Sequence, residues 1–362
     1  MEFSNFTFIL TTDCNFRCSH CYQKNTGLYL DVNVGKQAVD FIFPHLAEEA
    51  YFNFFGGEPF LAYDLMKDLT AHIEHRNAGG EKSIFFSVTT NGSLLQENIL
   101  QFLDTWKFSV LLSFDGAAQE SSGHPGCFHS LMSTVAGLRQ CQGIDLATNI
   151  VFTPESIGNL SESVGRLLEK GVASINISYS SLSRWDHASL SRLESQLTSV
   201  RRMMFDIYQN TGNIPVSHFK MPAKTGGFFC SAGKDRLALS PEGLLWGCCF
   251  FYDFMRRQEK PKETSLYCFG SLGSFSQRAE ELYHPGLRAY ANLGTEYFFT
   301  KNTFCQSCDD AAECVVCPAE AAFSSHIVGM VPEDMCQLRR ILREERRRFW
   351  AGIEDVHRQN PR

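Results

Sequence analysis

Short apolar runs alternate with longer amphipathic segments along the first 210 residues. The apolar runs predict six strands, at 6–10, 51–55, 83–89, 108–113, 147–153 and 174–179. The amphipathic segments predict six helices, at 34–46, 63–77, 96–106, 130–140, 159–170 and 189–209. Successive strand–helix units build an α/β fold with a parallel sheet, and six units are too few to close an eight-stranded barrel. We therefore expect a partial (β/α)6 TIM-like barrel with its chemistry at the carboxyl ends of the strands.

The alternation stops near residue 211, and Gly, Cys and aromatic residues become frequent. Residues 236–240 and 244–248 flank Pro241-Glu242-Gly243, which predicts a β-hairpin. A helix rich in Arg and Glu is predicted at 335–353. The expected organisation is a barrel at 1–210, a small cysteine-rich domain at 211–336, and a C-terminal helix and tail at 337–362.

Composition and charge indicate an ordinary globular protein. Of its 362 residues, 44% are hydrophobic and 20% are charged, and the net charge of −7 provides no broad basic field for nucleic acid or an anionic membrane. The basic stretch from Arg339 to Arg348 is expected to be a solvated helix face. The start Met1-Glu2-Phe3 lacks a secretory signal, and the apolar stretch 244–252 is too short to span a bilayer, so we expect a cytoplasmic protein.

Fourteen cysteines are the main chemical signal. In a cytoplasmic chain, cysteines at close spacing indicate metal binding or catalysis rather than disulfides. Cys14, Cys18 and Cys21 follow the first predicted strand in the order Cys-x3-Cys-x2-Cys. Three thiolates can hold three irons of a cubane cluster and leave the fourth iron open. The alternative is a structural zinc site, but such sites use four ligands, and the nearest further candidate is His20.

This triplet in this position resembles the signature of the radical S-adenosylmethionine (radical SAM) enzymes. The resemblance implies a 4Fe-4S cluster whose open iron binds SAM, and reductive cleavage of SAM to a 5′-deoxyadenosyl radical that removes hydrogen from a substrate. His20 stands where the family often has an aromatic residue. Gly56-Gly57-Glu58-Pro59 ends the second predicted strand, and in the family this segment receives the methionine end of SAM.

Two later strand ends also fit the resemblance. Ser113-Phe114-Asp115-Gly116 follows the fourth predicted strand, where the family usually has Ser-Leu-Asp-Gly, and Asn149 lies on the fifth. The resemblance implies SAM contacts for Ser113, Asp115 and Asn149, although each residue could equally be a turn residue or a buried amide. The acidic-basic run that usually follows in the family is replaced by Gly123-His124-Pro125-Gly126-Cys127.

A second group of cysteines lies in the C-terminal half. Two Cys-x2-Cys pairs alone would favour a zinc ribbon, but the full order resembles the SPASM domain of radical SAM enzymes, which carries auxiliary iron-sulfur clusters. The last pair is spaced by two residues, where the domain normally has three. The resemblance implies one cluster with four cysteine ligands and a second with three, at Cys305, Cys308, Cys314 and Cys336, and at Cys230, Cys248 and Cys317.

The fourth ligand of the three-cysteine cluster stays open. Cys249 and Cys268 are possible ligands, and the alternative is an iron without a protein ligand. Cys127 and Cys141 are interpreted as core thiols.

The resemblance implies modification of a precursor peptide or protein. The leading hypothesis is a maturase of ribosomally made peptides that forms a thioether or other crosslink. One alternative is a sulfatase-type maturase that makes formylglycine; the missing cysteine between Cys230 and Cys248, and Phe55 in place of an expected Gln, count against it. The other alternative is a non-catalytic iron-sulfur or zinc binding protein.

The same hypothesis implies partners. One is an electron donor such as flavodoxin or ferredoxin. Because only thirteen residues precede Cys14, recognition of a leader peptide, if required, is expected from a separate leader-peptide-binding protein or from the barrel and C-terminal regions. No general base stands out. Asp115 and Asp235 are weak candidates, and either could be an ordinary surface or turn carboxylate.

Overall fold

The computed structural model describes residues 2–114, 127–221, 230–258, 266–279 and 285–359. The strands in these ranges are β1 (Phe3–Thr11), β2 (Leu46–Gly56), β3 (Ser83–Thr90), β4 (Ser109–Ser113), β5 (Asp145–Phe152), β6 (Ile175–Tyr179), β7 (Arg236–Leu239), β8 (Leu244–Trp246) and β9 (Cys268–Ser271).

The helices of the first half are α1 (Val32–Ile42), α2 (Tyr63–Arg76), α3 (Glu97–Thr105), α4 (Cys127–Gln140), α5 (Leu160–Glu169) and α6 (His187–Thr211). Those of the second half are α7 (Cys249–Arg257), α8 (Leu272–Ala279), α9 (Pro285–Ala291), α10 (Thr295–Lys301), α11 (Pro318–Ser325) and α12 (Glu333–Gln359). No helix in the described ranges is both long enough and apolar enough to cross a membrane.

The described strands form one sheet in the order β6-β5-β4-β3-β2-β1-β7-β8-β9. Strands β1 to β6 are all parallel, and each is followed by a helix, so the predicted partial barrel of six units is confirmed. The parallel arrangement brings the carboxyl ends of all six strands to one edge. The register places Ser113 at the end of β4 directly beside Asn149 of β5.

Alternation along the strands separates an apolar face from a polar one. Phe8, Phe52 and Phe54 are buried between the sheet and its helices, with ring centroids 5.8–6.2 Å apart. The residues between them, such as Thr7 and Asn53, line an internal cavity instead. The apolar face therefore stabilises the barrel, and the polar face is free to contact ligands.

The predicted hairpin forms, but it belongs to the barrel sheet. Strands β7 and β8 pair antiparallel, and Gly243 supplies the left-handed backbone conformation of the turn, with a φ of 76°. Strand β7 also pairs parallel with β1. The first two parts that the sequence predicts, 1–210 and 211–336, are therefore joined by continuous strand pairing.

The C-terminal helix is longer than predicted. It includes Cys336, so the expected boundary between residues 336 and 337 falls inside α12. The expectation of a solvated basic face at Arg339–Arg348 holds only in part, because Arg340, Arg347 and Arg348 are exposed but Arg343 is buried. The side chain of Arg343 is 7% exposed, and the fully buried Glu345 forms an ion pair with Arg201 of α6 at 2.8 Å. Some of the charges of α12 contact folded neighbours because the helix packs along α6 and the cysteine-rich loops.

Candidate active site

A cavity of about 860 Å³ opens at the carboxyl edge of the parallel strands. Its barrel wall carries hydroxyl and amide side chains from each of the six strands, among them Thr7, Asn53, Ser87, Thr89, Ser113, Asn149 and Ser178. Some of these groups pair with one another: Ser87 Oγ donates to Asn53 Oδ1 at 2.5 Å, and Ser178 Oγ donates to Asn149 Oδ1 at 2.9 Å. The strands thus place neutral polar groups among apolar side chains such as Leu111 and Val151, and the charged residues of the lining, Arg17, Arg236 and Glu320, lie outside the six strands.

The first cysteine triplet lies on this wall. Cys14, Cys18 and Cys21 occupy the loop after β1, as the sequence predicts, and all three line the cavity. The Phe16 amide donates to Cys14 Sγ at 3.3 Å, and Asn91 Nδ2 lies 3.9 Å from the same sulfur. Burial raises the pKa of the Cys14 and Cys21 thiols. The loop thus presents three thiols to one space, with N–H donors beside one of them.

Gly56 and Gly57 hold the end of β2 against this loop. The Gly57 amide donates to the Thr11 carbonyl at 2.9 Å, and the Glu58 amide donates to the Asp13 carbonyl at 2.8 Å. A Cβ atom on Gly56 or Gly57 would overlap the backbone of Thr11 or Asp13. The paired glycines also line the cavity. The two glycines therefore position the backbone that leads to Cys14.

Glu58 and Pro59 lie behind the cavity wall. Glu58 is fully buried and accepts hydrogen bonds from Thr90 Oγ1 and the Asn91 amide, both at 2.8 Å. Burial raises the pKa of Glu58 to about 7. Pro59 is buried and begins a short 3-10 turn. These two residues fasten the ends of β2 and β3 and are not part of the described cavity lining.

The remaining candidate residues for cofactor binding and catalysis lie in different places. His20, Ser113 and Asn149 all line the cavity. Asp115 lies outside the described residues, together with most of the run at 123–127. Asp235 immediately precedes β7, and its carbonyl accepts from the Asn5 amide near the start of β1. The structure therefore places Asp235 at the amino end of the sheet, opposite the thiols.

Helix α7 anchors the cysteine loop, a contact that sequence reasoning missed. Gln23 Nε2 donates to Asp253 Oδ2 at 3.1 Å, and Arg257 Nη1 donates to the Tyr22 carbonyl at 3.0 Å. The ring of Phe250 lies 5.1 Å from that of Tyr22. Asp253 is buried, and burial raises its pKa to about 7. Helix α7 spans only nine residues of an apolar stretch, so no periodic pattern pointed to it.

The thiols of Cys230, Cys248 and Cys317 are brought together. Burial raises the pKa of Cys317 to about 12, and the neighbouring charges of Cys248 and Cys230 act in the same direction. Cys248 and Cys317 immediately precede α7 and α11, and the Glu320 amide donates to Cys317 Sγ at 3.5 Å. Helix N-termini favour thiolates because their free N–H groups point toward the sulfur.

The two possible further ligands of this group lie in different places. Cys249 shares a hydrogen bond with Cys248, which lowers the pKa of Cys248 to about 7, and both residues line the cavity. Cys268 lies on β9, and the neighbouring charge that acts on its thiol is Glu242. Of the two, Cys249 is the residue that the fold brings to the group.

Cys305, Cys308, Cys314 and Cys336 form the other group. Burial raises the pKa of Cys305 to about 11, and the charges of the other three thiols act in the same direction. Thirteen of the fourteen cysteines are free of disulfides. No three His, Cys, Asp or Glu side chains in the described part of the chain converge as ligands of a single metal ion. The assignment of the two groups to two clusters stays a prediction.

Comparison with known proteins identifies the first part of the chain. Residues 8–156 match the profile of the Radical SAM superfamily. Radical SAM cyclopropyl synthase TigE of Paramaledivibacter caminithermalis is 22% identical over 125 residues, which are 30% of this chain and 26% of TigE. The cysteine-type anaerobic sulfatase-maturating enzyme of Clostridium perfringens is 29% identical over 119 residues, which are 29% of this chain and 31% of that enzyme. The matched region spans less than a third of either relative.

Solved structures share the fold over a greater length. Native anSMEcpe with bound AdoMet and Cp18Cys peptide has a TM-score of 0.73 at 15% identity, covering 98% of this chain and 100% of that one. SuiB of Streptococcus suis bound to precursor peptide SuiA has a TM-score of 0.57 at 15% identity, covering 85% and 70%. At these identities the similarity establishes the fold. The chain therefore contains, at residues 8–156, a domain of the radical SAM superfamily, whose members are enzymes.

Proposed function

We propose that this protein is a radical SAM enzyme that modifies a ribosomally made peptide by forming a thioether or another crosslink. The observation that carries the proposal is the shared cavity, onto which Cys14, Cys18, Cys21 and Cys248 all open. Small-molecule pockets usually occupy roughly 300–1,000 Å³. At about 860 Å³ this cavity has room for a nucleoside cofactor together with part of a second molecule.

The loop thiols would hold a 4Fe-4S cluster. With SAM bound, that cluster supplies a 5′-deoxyadenosyl radical that removes a hydrogen atom from the substrate. The three thiols of this loop face the cavity, and the loop contributes no fourth thiol to its lining. Such a set of ligands fits a cluster that leaves one iron exchangeable. Ser113 and Asn149 sit side by side at the strand ends and would hydrogen-bond the ribose or carboxylate of SAM.

The polar wall supports a peptide as the substrate. Hydroxyl and amide side chains can donate to and accept from peptide groups without requiring a charged ligand. The structures of anSMEcpe and SuiB that share this fold contain a bound peptide. We infer that a precursor peptide enters the cavity from the carboxyl edge of the barrel. A flavodoxin or ferredoxin would supply electrons.

Two auxiliary clusters complete the proposal. Cys305, Cys308, Cys314 and Cys336 would hold one with four thiolates. Cys230, Cys248 and Cys317 would hold the other, with either Cys249 or no protein group at the fourth iron. Thioether formation removes one hydrogen atom from carbon, one proton from a thiol and one electron. An oxidised auxiliary cluster would supply the acceptor for that electron.

The proposal is tested by anaerobic turnover. Reconstituted protein is incubated with SAM, dithionite and synthetic peptides encoded by short reading frames next to its gene. We expect 5′-deoxyadenosine, and a peptide product that has lost two hydrogen atoms but kept its sulfur. A carbonyl product with loss of sulfur from a cysteine would instead indicate formylglycine formation. Absence of 5′-deoxyadenosine from protein that contains its clusters would contradict the proposal.

A separate experiment tests the cluster assigned to Cys230, Cys248 and Cys317. A cysteine-containing peptide should alter the spectrum of this cluster if its fourth iron is open, and the Cys-to-Ser peptide should not. The C249A variant separates the two possibilities for the fourth ligand. If Cys249 is that ligand, this variant should gain sensitivity to the peptide thiol. If the wild type responds to the peptide and C249A responds equally, Cys249 is not a ligand.

A further inference from the structure

One arginine of α12 stands out by its burial among cysteines. The side chain of Arg343 is only 7% exposed. Its guanidinium is within hydrogen-bonding reach of the Cys314 thiol, and its charge also acts on Cys305 and Cys336. Arg343 therefore faces three of the four thiols of the group to which the second auxiliary cluster is assigned.

One nitrogen of the Arg343 guanidinium forms a hydrogen bond, and another lacks a hydrogen-bond acceptor. Arg343 Nη2 donates to Asp310 Oδ2 at 3.0 Å. Arg343 Nε is buried and has no hydrogen-bond partner among the described residues. A buried donor without an acceptor is destabilising, and more so when it carries charge. Buried donors in folded proteins normally have a hydrogen-bond acceptor, so an acceptor is expected next to Arg343 Nε.

The neighbouring Arg347 shows what a purely structural ion pair looks like here. Arg347 Nη2 contacts the other carboxylate oxygen of Asp310 at 2.9 Å and Glu313 at 3.0 Å, but its side chain is 45% exposed. Holding Asp310 in place does not require a buried arginine, because Arg347 already does so from the surface. The burial of Arg343 toward the thiols therefore calls for a different partner.

We propose that Arg343 donates a hydrogen bond from Nε to a sulfur of the cluster held by Cys305, Cys308, Cys314 and Cys336, and thereby raises the reduction potential of that cluster. The inference rests on the auxiliary clusters of the proposed function. Hydrogen bonds to cluster sulfurs and nearby positive charge stabilise the reduced, more negative form, and both raise the potential. Arg343 is thus a positioning and tuning residue for an electron acceptor.

The most direct test detects the hydrogen bond itself. Full-length protein labelled with nitrogen-15 arginine is reconstituted, reduced and examined by pulsed EPR on the C14A/C18A/C21A background, which removes the signal of the first cluster. Arg340 is also within hydrogen-bonding reach of this group, at Cys308, so all variants carry R340K, which removes its nitrogen-15 label. We expect a nitrogen-15 coupling that disappears in R343Q and R343K and persists in R347Q. A coupling that persists in R343Q would overturn the assignment.

Redox titration of the same proteins measures the consequence. R343Q should shift the midpoint potential of this cluster to a more negative value, R343K should shift it less, and R347Q should leave it close to the starting value. Equal potentials in all four proteins, or equal shifts in R343Q and R347Q, would contradict the inference. If R343Q does not retain its cluster, R343K provides the decisive comparison, because it keeps the charge and lacks the Nε donor.

Failure of the proposed function gives a different result. If the protein lacks an auxiliary cluster, the C14A/C18A/C21A variant contains no iron-sulfur signal at all, and both proposals fail together. If the signal is present but insensitive to Arg343, only this inference fails.

Discussion

The two best-defined groups of thiols use the same residue in opposite surroundings. Cys14, Cys18 and Cys21 lie on the wall of a cavity that is open to ligands. Cys305 and its three partners lie away from the described lining of that cavity, beside the buried guanidinium of Arg343. Three thiols facing open space suit ligand exchange. Four thiols beside a buried arginine suit storage of an electron, because they can occupy every iron of a cluster. We call these the open group and the closed group. The number and surroundings of the thiols, rather than their spacing alone, distinguish the two roles.

The largest expected effect separates these groups by activity. Replacing Cys14, Cys18 and Cys21 with Ala should abolish reductive SAM cleavage and leave the auxiliary cluster absorption, because only this group would present an exchangeable iron. Replacing Cys305, Cys308 and Cys314 should leave SAM cleavage measurable while lowering iron content. Wild-type protein should hold about eight to twelve irons per chain if each of three clusters contains two or four. C141A serves as the control, because Cys141 lies directly after α4 and its thiol donates to the Gly137 carbonyl of that helix.

Four irons with stoichiometric zinc in the wild type would contradict this account, as would 5′-deoxyadenosine formation by the first triple variant.

The next effect concerns how the open group is positioned. Gly57→Ala should displace the backbone before Cys14, because the added Cβ would overlap Asp13. A misplacement of about 1 Å can lower a rate by roughly 100-fold, and we expect a loss of that order in SAM cleavage. Gly165→Ala in α5 is the matched control, since its Cβ would meet nothing within 4 Å. Similar rates for Gly57→Ala and Gly165→Ala, measured at equal iron content, would exclude the positioning role of Gly57.

A smaller effect tests how α12 fixes the closed group to the barrel. Glu345→Ala removes a buried carboxylate that pairs with Arg201 and Arg348, whose side chains are 25% and 45% exposed. The cost should therefore exceed the roughly 1 kcal/mol of a surface pair and stay below the roughly 3–5 kcal/mol of a fully buried pair. Glu354→Ala removes an ion pair to Arg358 whose side chains are both mostly exposed, so its cost should be at most about 1 kcal/mol. Denaturant unfolding of both variants under anaerobic conditions measures the difference. Equal free energies of unfolding would show that α12 is not held by this pair.

The smallest expected effect is a pH dependence at Glu58 behind the open group. Burial raises its pKa from 4.5 to about 7. Between these values the unfolded chain releases a proton that the folded chain keeps, so the free energy of unfolding should fall as pH rises from about 4.5 to 7. The fall in thermal midpoint across this range should be smaller in Glu58→Gln than in the wild type. Parallel pH profiles for the two proteins would rule out a proton on Glu58.

The sequence predicts the barrel because its signals are local. Each strand has its own apolar run and each helix its own period, so the six units are found without knowledge of their partners. The thiol groups were also predictable, because cysteine spacing carries the resemblance to a family. The parallel pairing of β7 with β1 was not predicted, since it joins segments more than 200 residues apart.

The arginines of α12 show why the rest could not be predicted. On the sequence, Arg339 to Arg348 is a charged run, which is usually solvated. In the fold, Arg343 pairs with Asp310, 33 residues earlier in a loop, and Arg339 pairs with Glu320, 19 residues earlier in α11. Helix α7 was missed for the same reason, because its contacts with Gln23 and Tyr22 cross from one half of the chain to the other.

The most direct test of the difference between the open and closed groups is an EPR titration of the reduced wild-type protein with SAM. The account predicts that SAM alters one cluster signal, that this signal is the one absent from C14A/C18A/C21A, and that the signals remaining in the variant do not respond. A signal in C14A/C18A/C21A that still responds to SAM would contradict the assignment of the open site to the loop after β1.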